Sequence, residues 1–183
     1  MINISQATPQ APSPPYTERR TSGRAGVLAL ALGAFSIGLT EFAPAGLLPS
    51  IATDFAVTAG VSGWVVGSYA IAVAVGAIVM SVMAAGRDRA LVLRLLVGLF
   101  VIGNLLTTMA PNFGLLLTGR IVAALCHGAY MGISAAIATD LLPPEKKGSA
   151  VATVFSGITL AIVFGLPVGS FLGAQLGWRS TFG

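Results

Sequence analysis

Three ionisable side chains lie inside long apolar stretches of the sequence, where a charge is costly to bury. Glu41, Arg120 and His127 have mostly apolar or small neighbours on both sides. A charge at the centre of a membrane helix costs at least about 2.5–3.5 kcal/mol on insertion scales, and such residues usually bind a ligand, carry protons or form buried ion pairs. These three residues are therefore the candidates for chemistry in this chain.

The spacing of the three residues predicts where they lie. Arg120 and His127 are seven residues apart, which is two helical turns, so both should project from one helix face about 10 Å apart. Glu41 lies eight residues before Pro49, and Arg120 lies nine residues after Pro111. At ~1.5 Å per residue, both lie roughly 12–14 Å below the same surface. Glu41 and Arg120 could therefore meet across a cavity between two helices.

More than one role stays open for each residue. Glu41 and Arg120 could form a buried structural ion pair, or they could line a pathway for substrate and protons. His127 could carry protons, since an unperturbed imidazole has a pKa of ~6.5. It could also contact a substrate or remain a neutral, hydrogen-bonded helix residue.

The elements that position these residues are predicted to be membrane helices. Of the 183 residues, 55% are hydrophobic and 9% are charged, whereas soluble domains are ~25% charged. Residues 1–24, rich in Pro, Ser and Thr, are predicted to be a disordered cytoplasmic tail. The remainder, residues 25–183, contains five apolar blocks near the ~20 residues that span a bilayer, at residues 25–48, 61–85, 91–110, 114–139 and 149–172. The prediction is an all-α polytopic membrane protein.

The distribution of charge predicts an orientation and excludes some functions. Eight cations lie in the tail and the even-numbered connections: Arg19, Arg20, Arg24, Arg87, Arg89, Arg94, Lys146 and Lys147. Only Arg179 lies on the opposite side, so the N-terminus is predicted to be cytoplasmic. The net charge of +4 is too scattered for a nucleic-acid partner. One His and one Cys provide no metal-ligand set, which argues against an enzyme.

Two prolines inside apolar blocks predict bent helices. Pro44 lies in the first block, and Pro167 lies in the fifth between Gly165 and Gly169. Proline removes a helix hydrogen bond, and interrupted helices commonly line the central cavity of transporters. Small residues also recur every four positions in the second, fourth and fifth blocks, for example at Gly63 and Gly67, which is typical of close helix packing in lipid.

At these residues the sequence resembles the major facilitator superfamily, in particular its drug/proton antiporter branch related to arabinose-efflux and chloramphenicol-resistance permeases. The first block reads TEFAPAGLLP at residues 40–49, and ALCHG follows Arg120 at residues 124–128. The fifth block reads GLPVG at residues 165–169, followed by LGWR at residues 176–179. The GLPVG segment is similar to the motif associated with antiporters. The resemblance covers nearly all of residues 25–183.

One loop departs from the family pattern. Between the second and third helices the family usually has Gly-x-x-x-Asp-Arg-x-Gly-Arg, which latches the cytoplasmic side. In this sequence Ser81, Ala85 and Asp88 replace the first Gly, the Asp and the second Gly, while Arg89 is kept. Asp88 is a candidate to replace the missing acidic partner in this latch.

The resemblance implies a fold of two six-helix halves, of which this chain would hold five helices of the N-terminal bundle, truncated before the sixth. It implies a secondary transporter of the inner or plasma membrane that exports a small organic molecule, such as a drug or a sugar, in exchange for protons. Its partners would be the lipid bilayer, the substrate, protons and a missing C-terminal half, with no cofactor. Arg120 would hold charge in the cavity, paired with Glu41 in at least one state, and Pro167 with its glycines would shape the fifth helix.

Other functions remain open at this point. The same fold could serve a facilitator or importer of a sugar or nucleoside, although the motif in the fifth block argues against it. The chain could also be a truncated fragment without activity, because alternating access needs one bundle to move against another. A membrane-embedded enzyme or scaffold is the remaining alternative.

Overall fold

The computed structural model describes residues 16–182, with side chains from residue 23 onward. The helices of this part are α1 (Tyr16–Phe42), α2 (Leu48–Asp54), α3 (Ala59–Ser62), α4 (Trp64–Ala84), α5 (Arg89–Thr108), α6 (Phe113–Leu125), α7 (His127–Leu141), α8 (Lys147–Leu160) and α9 (Leu166–Leu176). Short 3₁₀ turns lie at Ala43–Leu47, Pro144–Lys146 and Trp178–Thr181, and a π-helical turn lies at Ala161–Gly165.

Five helical stretches are long and apolar enough to cross a membrane. We call them spans one to five: Gly23–Asp54, Ala59–Ala84, Arg89–Thr108, Phe113–Leu141 and Pro144–Leu176. They coincide with the five apolar blocks of the sequence, and the described residues contain no strand. The prediction of an all-α polytopic membrane protein is therefore confirmed.

Helix α1 begins before the first predicted span. It starts at Tyr16, inside the stretch predicted to be a disordered tail. No proline lies between Pro15 and Pro44, so the α1 backbone can continue from the apolar block back to Tyr16. The rest of that stretch, residues 1–15, lies outside the described residues, and the division into tail and bundle stays a prediction.

Span four lies at the centre of the bundle. Half of its apolar window is buried, against a third or less in each of the other spans. Helices α4 and α5 pack on α6, while α7 packs on α1, α4, α5 and α8. About half of the side chains of this window therefore lie against neighbouring helices.

Spans one and five pack closely along α1 and α8. Gly157 of α8 lies against the backbone of α1, where an added Cβ would lie 2.9 Å from the Phe35 nitrogen. A larger side chain would force the two helices apart, so the small residue is required at this crossing.

Both predicted irregularities at the prolines are present. Helix α1 ends at Phe42 and gives way to the 3₁₀ turn that contains Pro44. In span five, the π-helical turn Ala161–Gly165 directly precedes α9, whose first turn contains Pro167. Since proline cannot donate a backbone hydrogen bond, the regular helical ladder is interrupted at both places.

Candidate functional site

Arg120 is completely buried in the bundle and is held by backbone oxygens. Its exposed fraction is 0%. Its Nη1 donates to the carbonyl of Thr40 at 2.7 Å, and its Nε donates to the carbonyl of Val65 at 3.4 Å. These bonds connect span four to spans one and two. Because the carbonyls are dipoles rather than charges, the positive charge of the guanidinium is solvated without being neutralised.

Tyr69 provides a second contact for the same guanidinium. The Arg120 Cζ lies 4.1 Å from the centroid of the Tyr69 ring, which is a distance typical of a cation–π interaction. The Tyr69 side chain is only 1% exposed. Sequence reasoning missed this residue; its one signal was a phenol within the second apolar block.

Glu41 lies beside His127. The Oε2 of Glu41 is 3.5 Å from Nδ1 of His127, and the side chains are 24% and 9% exposed. The His127 ring also packs edge-on against the Tyr69 ring, with 6.2 Å between centroids. Arg120 and His127 thus both contact Tyr69, in agreement with their predicted position on one face of span four.

The expected contact between Glu41 and Arg120 takes a different form. Thr40, which precedes Glu41, accepts the hydrogen bond from Arg120, so the two spans meet at the predicted common depth. No Glu41–Arg120 ion pair is present among the described side chains. One residue further along the helix turns the side chain by about 100°, and Glu41 therefore faces His127 instead.

Several buried polar atoms in this region have no hydrogen-bond partner within residues 23–182. They include Ser68 Oγ, Tyr69 Oη, Arg120 Nη2 and His127 Nδ1. Buried polar atoms in proteins are usually paired, and each exception calls for an explanation, of which a functional role is one. We call Glu41, Tyr69, Arg120 and His127 the central cluster. It combines one acid, one permanent cation and one imidazole, a set that can hold a polar ligand and exchange a proton.

The glycines of the antiporter-like motif contact span one next to this cluster. A Cβ added to Gly165 would lie 2.7 Å from Cδ1 of Leu39, and one added to Gly169 would lie 2.5 Å from Cβ of Ala43. Gly165 and Gly169 therefore allow span five to approach the end of α1, one to two residues from Thr40 and Glu41. Pro167 lies between them, at the start of α9.

Asp54 joins the ends of spans one and five at one end of the bundle. Asp54 Oδ2 accepts hydrogen bonds from Trp178 Nε1 at 3.0 Å and Arg179 Nη1 at 2.6 Å. Arg179 Nη2 also donates to the carbonyl of Ala110 at 3.1 Å, and its Cζ lies 4.3 Å from the Trp178 ring centroid. The chain reaches this position because Gly177 has a φ of 84°, a conformation that favours glycine.

Arg89 and Asp140 form the ion pair at the opposite end. Arg89 Nη1 lies 2.9 Å from Asp140 Oδ2, with side chains 58% and 64% exposed. Asp88, the candidate acidic partner, instead accepts a hydrogen bond from the Ala90 nitrogen at 2.9 Å and caps α5. Arg89 therefore contacts Asp140 rather than Asp88 in this structure, and a latch role for Asp88 stays a prediction.

Comparison with known proteins identifies the family. Residues 30–183 match the family model "Major Facilitator Superfamily". The chain is 43% identical over 156 residues to inner membrane transport protein YdhP of Escherichia coli, 35% identical over 156 residues to putative transporter AraJ of the same species, and 35% identical over 157 residues to a probable sugar efflux transporter of Helicobacter pylori. These alignments cover 85%, 85% and 86% of this chain but about 40% of each relative. The chain is thus a multi-pass membrane protein that belongs to the major facilitator superfamily.

Proposed function

We propose that this chain is part of a secondary transporter that exports a small organic molecule, such as a drug or a sugar, in exchange for protons. The observation that carries the proposal is the central cluster, in which the buried cation Arg120 and the pair Glu41–His127 meet between spans one, two and four. Ionisable groups buried at this depth of a membrane bundle usually mark a substrate or proton path.

The contacts of the cluster support exchange by competition. Arg120 is bonded to backbone oxygens and not to Glu41, so the carboxylate is free to take up a proton or to accept a hydrogen bond from a substrate. A proton and a substrate that occupy Glu41 in turn exclude each other, which couples their movements in opposite directions. His127, 3.5 Å away, is positioned to share the proton.

The motif of span five supports exchange rather than free diffusion. Gly165 and Gly169 seat the interrupted helix against the end of α1. Close contact at this level closes the route between the two spans, and Pro167 fixes the position of the bend. A closed route beside a protonatable site is what an antiporter requires to avoid a proton leak.

We further propose that the protein lies in the inner membrane with its N-terminus and the Arg89–Asp140 end in the cytoplasm. Of the nine cations other than Arg120, eight lie in the N-terminal stretch or near the Arg89–Asp140 end, and this supports the orientation. A reporter that is active only in the cytoplasm should be active when inserted after Gly86, between spans two and three, and inactive when inserted after Val57, between spans one and two. The reverse pattern would contradict the proposal.

The test is a flux assay on the protein as its native gene encodes it. In inside-out vesicles with an imposed proton gradient, addition of the substrate should release protons, measured with a pH-sensitive dye. Sugars form the first test panel, because one relative is named a sugar efflux transporter, and lipophilic drugs form the second. Export that persists after a protonophore removes the gradient would contradict proton coupling, and uptake without export would favour the importer.

Matched variants connect the flux to the central cluster. Glu41→Gln should abolish substrate-induced proton release, and His127→Gln should slow it about 100-fold or more, which is the usual effect of losing a proton-transfer group. Glu145→Gln is the control, because Glu145 is an exposed acid in the loop before α8. Equal proton release by all three variants and the parent protein would show that the cluster has only a structural role.

A further inference from the structure

A groove lies between the start of span one and the start of span five, at the Arg89–Asp140 end of the bundle. Its volume is ≈ 510 Å³. It is lined by Arg24, Val27, Leu28, Leu142, Lys146, Ser149 and Thr153, and we call it the Arg24 groove. None of these residues belongs to the central cluster, so the groove is not explained by the transport site.

Two glycines of α1 determine the shape of the groove. A Cβ added to Gly23 would lie 2.5 Å from the Leu141 carbonyl oxygen, and one added to Gly26 would lie 2.8 Å from Leu141 Cδ1. Helix α1 is therefore held against the end of α7. The chain then continues through Leu142 to α8, so that Arg24 and Lys146 come from different parts of the sequence but line one groove.

The polar part of the groove is basic. Arg24 is exposed and Lys146 is half-buried. Among the side chains of residues 23–182, no carboxylate lies within 4.0 Å of either cation. The hydroxyl groups of Ser149 and Thr153 lie along the same groove. The Thr153 hydroxyl donates to the Ser149 carbonyl at 2.8 Å. The two cations and the Ser149 hydroxyl are therefore the donors that can meet a phosphate ester.

The remaining wall is apolar and continues onto the outer surface of the bundle. Val27 is 3% exposed and forms the floor, whereas Leu28 is 63% exposed and faces outward from a membrane span. A free phosphate would contact only the cations and the Ser149 hydroxyl. A phospholipid uses both parts, with its phosphate at the cations and an acyl chain along Leu28.

We propose that the Arg24 groove binds the headgroup of an anionic phospholipid. Its position, where spans one and five both begin, is the level at which headgroups lie in a bilayer. Basic pockets between membrane helices recognise such headgroups. The proposal is independent of the transport activity, since binding can be measured without a substrate.

The test measures lipid retention on the full chain purified from mixed bilayers of phosphatidylcholine and phosphatidylglycerol. Native mass spectrometry should show phosphatidylglycerol retained in preference to phosphatidylcholine. The double variant Arg24→Gln/Lys146→Gln should lose about tenfold or more of this retention, because each cation near an anionic surface contributes roughly a factor of five. The variant Arg24→Lys/Lys146→Arg should keep it.

The control removes the same charge at the same end outside the groove. Arg94→Gln/Lys147→Gln alters two exposed cations that do not line the groove. It should lose clearly less retention than the groove variant, because it weakens only the general attraction to the anionic surface. An equal loss in both double variants would overturn the proposal in favour of diffuse attraction to the membrane surface. Displacement of phosphatidylglycerol by millimolar inorganic phosphate would assign the site to free phosphate instead. Circular dichroism confirms that each variant is helical, and loss of retention in the Lys/Arg exchange variant despite native helicity would also contradict the proposal.

Discussion

The centre and the two ends of the bundle hold arginine in different ways. Arg120 at the centre is 0% exposed and contacts backbone carbonyls and the Tyr69 ring, and none of the carboxylates in residues 23–182 contacts it directly. Arg89 and Arg179 at the ends are 58% and 42% exposed, and each contacts an Asp side chain. The buried cation is therefore stabilised by dipoles, whereas the exposed cations are stabilised by opposite charges.

The ion pairs at the two ends have a structural role, whereas the contacts of Arg120 leave its charge available to a ligand. A carboxylate in direct contact would neutralise Arg120 and would itself be occupied. With carbonyls and a ring as partners, the guanidinium keeps its charge and Glu41 remains available for a proton. At the ends, water screens the charges, so a mutated pair there should matter less. The effect of a mutation should therefore follow burial.

The largest effect is expected at Arg120. Arg120→Ala removes a large, fully buried side chain and should lower the free energy of unfolding by about 2–5 kcal/mol. Arg120→Met fills much of the same space without a buried charge and should be nearly neutral or stabilising. Both should abolish transport. Unfolding in detergent, monitored by circular dichroism, measures the free energy of unfolding of both variants, and a flux assay measures transport.

The comparison between Ala and Met separates packing from charge. If Arg120→Met destabilises the protein as much as Arg120→Ala does, then the hydrogen bonds to Thr40 and Val65 stabilise the fold in their own right. If Arg120→Met transports normally, the buried charge has no part in the proposed exchange.

An intermediate effect is expected at Asp54. Asp54→Ala removes the shared acceptor of Trp178 and Arg179 and should lower the free energy of unfolding by about 1–2 kcal/mol, since two hydrogen bonds are lost but the site is partly solvated. Asp140→Ala is the matched variant at the opposite end. If Asp140→Ala lowers the free energy of unfolding more than Asp54→Ala does, the effect of a mutation does not follow the exposure of the side chain.

The helices and the depth of the charges could be predicted from the sequence, but the partners could not. Apolar blocks of about 20 residues specify membrane helices almost without tertiary information. Helical rise alone predicted that Glu41 and Arg120 lie at one level, and Arg120 bonds to Thr40, the neighbour of Glu41. Which atom Arg120 contacts depends on the rotation of span one about its axis. That rotation is set by packing against span five, far along the chain.

The small residues that recur every four positions also show that sequence spacing does not reveal which helices are in contact. Gly63 and Gly67 have helical spacing, yet within the part of the chain that the structure describes a Cβ added to either would meet no atom of another span within 4 Å. Gly76 and Gly128 lie against the backbones of Leu125 and Ala77 in the neighbouring spans. Spacing therefore indicates a small-residue face but not whether a helix covers it. Tyr69 was missed for the same reason, because its role depends on three spans meeting.

The smallest effect is expected at Arg89. Arg89→Gln breaks one hydrogen-bonded ion pair whose side chains are both more than half exposed, and exposed pairs contribute about 0–1 kcal/mol. The loss should be at the low end of this range and should shrink further in 1 M salt, where the Debye length is about 3 Å. Arg179→Gln should be less sensitive to salt, because it also loses the bond to the Ala110 carbonyl and the stacking on Trp178. Equal salt dependence at both arginines would mean that charge alone holds the Asp54 network. The two ends of the bundle would then differ only in how far their ion pairs are exposed to solvent.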